Sequence, residues 1–254
     1  MSPVFRFHPG RVQGMLVLCD HASNWVPPEL QDLGLDAHEL SRHIAWDPGA
    51  GDVARRLAQH LDCPWIEHGI SRLVADANRD PADPGFILAT SDGTSVPGNQ
   101  ALNSSERERR RLAYHAPYHE RIDRHLDHLL GIGVRPFVIA VHSFTPKLGS
   151  EIRPWQVGVL WRDDPGIARH LIAALEQQGH KVGDNQPYDG HSAMGYTINH
   201  HAIRRGLHHT MFELRQDLLV TASARERWAE SLHQALQRVL PQHPHQGSRS
   251  TSMA

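Results

Sequence analysis

Three short apolar runs end in residues suited to hydrolytic chemistry. Leu16-Val17-Leu18-Cys19 leads into Asp20-His21-Ala22-Ser23-Asn24, Phe137-Val138-Ile139-Ala140-Val141 into His142-Ser143, and Thr210-Met211-Phe212 into Glu213-Leu214-Arg215. Imidazole nitrogens bind divalent metals well, and catalytic zinc sites pair them with an oxygen ligand while keeping one position open for water. A carboxylate held among apolar neighbours, as Glu213 reads between Phe212 and Leu214, has a raised pKa and can accept a proton from that water. The competing role for Glu213 is an ion pair with Arg215, although strand positions i and i+2 share a face without ideal contact. These residue types point to metal-assisted hydrolysis, with His21 and His142 as ligands and Glu213 as base.

The third ligand is less plain. Asn24, three residues after His21, offers a neutral carbonyl oxygen; with Asp20 and Ser23 it also reads as an ordinary turn before Pro27-Pro28. Asp47, in Ala45-Trp46-Asp47-Pro48-Gly49-Ala50, reads first as a helix N-cap with proline at the first helical position. Its other readings are to orient a ligating histidine or to take Asn24's place on the metal. His119 and Ser143 are further candidates for this supporting layer, and Tyr118 and His119 could border a pocket or form a surface ridge. Arginine's planar fork matches a carboxylate. Asn78-Arg79 could therefore hold one substrate carboxylate, and Arg72 or Arg215 a second. The plain alternative is an arginine bonded to nearby Asp76 or Asp80. Neither a phosphate-cradling loop nor a Gly-x-Ser-x-Gly elbow is present in the sequence.

These residues need elements to bring them together. Strands are predicted at Met15–Cys19, Cys63–Ile66, Arg72–Ala77, Phe137–Val141, Val157–Leu160, Lys181-Val182 and Thr210–Glu213. Helices are predicted at Asp36–Leu40, Asp47–Leu61, Ser104–Leu130 (with Leu112, Ile122, Leu126 and Leu129 on one face and a kink at Pro117), Asp164 to near Gly179, and Ser223–Leu240. Such alternation predicts a three-layer α/β/α fold around a mostly parallel or mixed sheet. The carboxyl ends of its strands form the ligand crevice. Residues 1–14 read as an irregular arm, and Ala82–Leu102 as a long lid or binding loop. One domain is expected over 1–240, with a polar, disordered tail at 241–254.

Composition narrows the class. The chain has 254 residues, 26 basic and 28 acidic side chains and a formal net charge of −2, which gives no bulk attraction to nucleic acid or anionic membrane. No apolar stretch approaches the roughly 18 residues that span a bilayer. The first residues lack a signal peptide's apolar core, so a cytoplasmic enzyme is expected. Cys19 and Cys63 read as buried thiols. There are 21 histidines. His115, His119, His125 and His128 read as solvated positions of one helix, so position and not number must identify ligands.

Taken in order, several motifs resemble the N-formylglutamate amidohydrolase family. They are Asp20-His21-Ala22-Ser23-Asn24, His43-Ile44-Ala45-Trp46-Asp47-Pro48-Gly49-Ala50, Ser71 through Asp80, Tyr114-His115-Ala116-Pro117-Tyr118-His119, and Val141-His142-Ser143. That family is similar in turn to zinc carboxypeptidases and aspartoacylases, which implies a phosphorylase/hydrolase-like fold. The resemblance implies Zn²⁺, or another divalent transition metal, on His21, Asn24 and His142. It implies Glu213 as base, and Asn78 with Arg79 as the substrate grip. Asn24 departs from the wider group, which has glutamate there. The implied reaction is hydrolysis of a small N-acyl amino acid such as N-formyl-L-glutamate, as in histidine degradation. The alternatives are a metallopeptidase or cell-wall peptide amidase, which would need an open groove at Ala82–Leu102, and a non-catalytic ligand-binding relative. Oligomeric state is left open.

Overall fold

The computed structural model describes residues 3–162, 165–191 and 194–240. Its elements run β1 (Phe5–His8), β2 (Met15–Cys19), α1 (Ala50–Leu61), β3 (Trp65–His68), α2 (Ser104–Arg110), α3 (Ala116–Gly131), β4 (Phe137–Phe144), β5 (Val157–Leu160), α4 (Pro165–Gln177), β6 (Val182–Asp184), β7 (His209–Arg215) and α5 (Ala222–Val239). Short helical turns and two small hairpins fill the connections. The seven strands form one sheet in the order β1-β3-β2-β4-β7-β5-β6. Strands β3, β2, β4 and β7 run parallel, while β1 and β5 pair antiparallel with their neighbours β3 and β7.

Strand side chains alternate between two cores, as the pleat requires. Val17, Ile139, Val141 and Phe212 pack with Val53 and Leu57 of α1, Leu171 of α4 and Leu232 of α5. Leu16, Leu18, Val138 and Ala140 pack on the other face with Tyr118, Ile122 and Leu126 of α3. This is the expected three-layer α/β/α arrangement with a mixed sheet. Among the described residues, no helix is long and apolar enough to cross a membrane. Cys19 and Cys63 are buried free thiols.

Several local expectations are corrected. Arg72–Ala77 is not a strand. Its Leu73, Val74 and Ala75 fill a separate cluster with Ile70, Phe86 and Tyr114. Its backbone is satisfied by turn and loop bonds, such as Arg72 N–H to the Ala45 carbonyl at 3.1 Å and Asp76 N–H to the Phe86 carbonyl at 2.9 Å. The presumed irregular arm contains β1, whose half-buried alternation pairs Phe5 with His68 and Phe7 with Ile66. The strand expected at Cys63–Ile66 is shifted to Trp65–His68.

The helix expected over 104–130 is broken by a π-helical turn at Arg111–His115. That turn rotates the register, so Leu112 faces solvent while Ile122, Leu126 and Leu129 are buried. His115, His119 and His125 are likewise buried, not solvated. Asp47 does not cap α1: Gly49 occupies the N-cap position and Ala50 begins the helix. The Ala82–Leu102 loop folds into helical turns and a small hairpin, with Phe86, Ile87 and Val96 packed inward. Asp164 and the tail expected at 241–254 lie outside the described residues.

Candidate active site

The parallel strands β2, β4 and β7 are adjacent, so their carboxyl ends open on one side of the sheet. His21 follows β2 by two residues, His142 lies in the second half of β4, and Glu213 lies in β7 beside it. All three line one cavity of about 520 Å³, together with Asp47, Arg72, Asn78 and Arg79. The size suits a small-molecule ligand.

Asp47 is the centre of the cluster. Its Oδ2 lies 2.9 Å from His142 Nδ1 and 3.4 Å from His21 Nδ1. The two imidazole rings meet edge to face, with centroids 5.1 Å apart. The remaining nitrogens are held from behind by buried carboxylates. His21 Nε2 is 2.7 Å from Asp76 Oδ1, and His142 Nε2 is 3.2 Å from Asp20 Oδ2. These carboxylates are anchored in turn. Tyr118 and Thr197 hydroxyls each donate to Asp20 Oδ1 at 2.8 Å. Arg72 donates to Asp76 Oδ2 at 3.0 Å, and the Asn78 N–H donates to Asp76 Oδ1 at 2.9 Å.

Local chain geometry brings Asp47 to this point. Its N–H donates to the His21 carbonyl at 3.0 Å. The Ser143 N–H donates to Asp47 Oδ2 at 3.3 Å, and the Ser143 hydroxyl donates to the Pro48 carbonyl at 3.2 Å. The segment before α1 is thereby tied to the end of β4.

The electrostatics separate the carboxylates into two kinds. Burial alone would raise Asp47 and Asp76, but both are held well below the usual carboxylate range: Asp47 by His21 and His142, Asp76 by Arg72 and His21. Asp20 is lowered by His142 against the effect of burial. Burial would lower His142, yet its bonds to Asp20 and Asp47 push it well above the ordinary histidine value. Glu213 behaves oppositely. Only 5% exposed, its carboxyl is pushed up to about 7 by burial, and its Oε2 has no hydrogen-bond partner.

Residues 13–220 match the family model described as N-formylglutamate amidohydrolase. The chain belongs to that family. It is a hydrolase acting on amide bonds. The gene product Atu2144 of Agrobacterium tumefaciens is 32% identical, with a TM-score of 0.89 over 94% of this chain and 96% of that one. The N-formylglutamate amidohydrolase of Ralstonia eutropha JMP134 shares the fold at 18% identity, with a TM-score of 0.63 over 94% of this chain and 97% of that one. None of the curated proteins matches the chain.

In this N-formylglutamate amidohydrolase family member, the residues singled out from sequence fall into two groups. His21, His142, Glu213, Asp47, Arg72, Asn78, Arg79 and Ser143 line the cavity together. Asn24 does not: its Nδ2 donates to the Leu40 carbonyl at 2.9 Å, because the chain turns away after Ser23. Arg215 also points elsewhere, donating to Asp217 at 2.8 Å and to the Pro154 carbonyl at 3.4 Å. Arg72 lines the cavity and donates to Asp76 Oδ2 at 3.0 Å, with Asp47 3.5 Å away. Arg79 is 49% exposed at its side chain and pairs only with Asp83 at 3.2 Å among the described residues. His119 stands behind the wall, its ring nitrogens 2.9 Å from the Ala77 carbonyl and 2.8 Å from His201 Nε2.

Other residues in or behind the wall were not singled out as functional in the sequence. His43 lies with Nδ1 3.7 Å from Asp47 and is pushed down to about 4 by burial. Asp20 and Asp76 hold the histidines from behind, and Gly195, at φ +73°, admits the Asn78 side chain where a Cβ would stand 2.3 Å from its Nδ2. Asp20 did carry a signal: a carboxylate directly after a buried strand, with no cation near it in sequence.

Proposed function

We propose that this chain is a metal-dependent amidohydrolase acting on a small N-acyl amino acid, N-formyl-L-glutamate being the substrate to test first. The observation carrying this reading is that donor atoms of His21, Asp47 and His142 lie within 4.8 Å of one another, with both Nδ1 atoms facing Asp47 Oδ2, beside an unpartnered Glu213 oxygen in the same cavity. The donor set fits a divalent transition metal. Two imidazoles face one carboxylate oxygen, and each opposite ring nitrogen rests on a buried carboxylate, the arrangement that fixes a ligating histidine's tautomer and orientation. Asp47 takes the place first given to Asn24.

The ion held by these three residues, zinc in the first instance, would supply Lewis acidity toward the amide carbonyl and lower the pKa of water. Glu213 accepts the proton of the attacking water through its free Oε2. The water oxygen bonds to the acyl carbon. Glu213 then returns the proton to the amide nitrogen as the C–N bond breaks, releasing formate and the free amino acid when the acyl group is formyl. Burial makes that carboxylate basic enough for the first transfer and acidic enough for the second. Arg79 and Asn78, at the cavity wall, hold the substrate's carboxylate.

The test is formate release from N-formyl-L-glutamate by metal-stripped and zinc-reloaded protein. Activity confined to the reloaded protein supports the reading, and full activity in the stripped protein overturns it.

A further inference from the structure

A second group of donor atoms lies where α1 packs on α5, and none of its residues lines the cavity. His60, in the last turn of α1, and His233 of α5 stack with ring centroids 5.4 Å apart and planes at 15°. Glu230, three residues before His233 and on the same side of α5, reaches both. Its Oε2 is 3.7 Å from His60 Nδ1 and 3.6 Å from His233 Nδ1. Neither separation is a hydrogen bond. His233 Nδ1 is nonetheless buried and has no partner.

The outer atoms of two of these groups are fixed. His60 Nε2 is 2.8 Å from Glu226 Oε1, so its N–H donates there. Gln234 Nε2 donates to Glu230 Oε1 at 2.7 Å. A neutral His60 donating from Nε2 turns its Nδ1 lone pair toward a carboxylate oxygen 3.7 Å away. Electron pairs facing one another across a gap repel; a cation between them reverses the sign. Donors about 2.1 Å from a tetrahedral zinc ion lie roughly 3.4 Å apart. The gaps from Glu230 to the two histidines are a few tenths of an ångström wider, and the three donor atoms lie within 4.8 Å of one another. Leu57, Leu61, Leu232 and Leu236 bury the seam beneath and keep the two helices in register.

The group formed by Asp123, His200 and His201 differs in this respect. There Arg205 donates to Asp123 Oδ1 at 2.8 Å and His201 Nδ1 lies 2.9 Å from the same oxygen. A metal ion would have to displace them.

We propose that His60, Glu230 and His233 form a surface site for zinc or a similar divalent transition metal, stapling the end of α1 to α5. Because the two helices come together only in the folded chain, the ion binds the native state and stabilises it. Glu226 orients His60 from behind, as carboxylates do for ligating histidines.

The test is equilibrium dialysis of the full chain against micromolar Zn²⁺, with thermal unfolding as a second readout. The wild type is compared with the double variant His60→Gln, His233→Gln and with Glu230→Gln, which preserves shape. Both variants are expected to hold one zinc equivalent fewer than the wild type. They should also lose part of the zinc-dependent rise in Tm and keep the wild-type rate of amide hydrolysis. Equal zinc content in the wild type and both variants overturns the proposal. An equal zinc-dependent rise in Tm overturns the staple.

Discussion

Glu213 and His142 stand on the same rung of the sheet, paired across the parallel strands β7 and β4. On the other side of Glu213 the partner is Gly158 of β5. A Cβ at Gly158 would lie 1.9 Å from the Gln186 carbonyl oxygen and 3.4 Å from the Glu213 Cβ. The base is thus fixed by backbone pairing on both sides, while its outer oxygen is left without a partner.

That placement makes Glu213→Gln a clean substitution, since shape is kept and only proton acceptance is lost. General-base catalysis contributes roughly 10²–10⁴-fold. The variant should lose kcat by about that factor, with metal content and KM nearly unchanged. Steady-state kinetics alongside metal analysis checks both halves.

Asp47 and Asn24 should behave differently. Asp47→Asn removes the carboxylate charge that lies against both His21 Nδ1 and His142 Nδ1 and should sharply weaken zinc retention. Asn24→Ala removes a bond to the Leu40 carbonyl, costing about 1 kcal/mol of stability. It should leave zinc content intact. Dialysis against a chelator, followed by metal analysis, separates the two variants.

The two cavity arginines also divide. Arg79→Ala should raise KM for a carboxylate-bearing substrate and shift stability by no more than about 0.5 kcal/mol, since its pair with Asp83 is exposed. Arg72→Ala leaves Asp76 buried without its cation and should cost about 3–5 kcal/mol. Urea unfolding and KM, measured on both variants, distinguish substrate grip from structural pairing.

His115 gives a stability prediction. Burial pushes its imidazole down to about 4, below the unfolded value near 6.5. The unfolded chain therefore binds the proton more readily. The stabilisation is complete above pH 6.5 and is lost as pH falls from there toward 4, by on the order of 2 kcal/mol. His115→Gln should flatten the decline in unfolding free energy over that window.

The sequence made the strand-borne chemistry legible because His21, His142 and Glu213 each interrupt or end an apolar run, a local pattern. The ligand from the preceding loop was harder to read. Asp47-Pro48 has the look of a helix start, and the bond between its N–H and the His21 carbonyl, with those from Ser143 to Asp47 and Pro48, turns its carboxylate into the cluster. Arg72–Ala77 is apolar because it fills a loop core, which composition cannot distinguish from a strand. The alternation of Phe5-Arg6-Phe7-His8 was present and marks β1 in retrospect. The π-helical turn left no comparable mark, so the phase of Leu112 was misjudged.

The site is divided between two kinds of support. His142 and Glu213 ride on middle strands of the sheet, His21 directly follows another, and Asp47 is bonded to both histidines, whereas Arg79 and Asn78 ride on a loop outside it. Central strands open only with the whole molecule, and loops open earlier. Rising denaturant should therefore act on the enzyme in two stages. Substrate affinity should fade first, as a climbing KM, while turnover at saturation persists until the fold itself is lost.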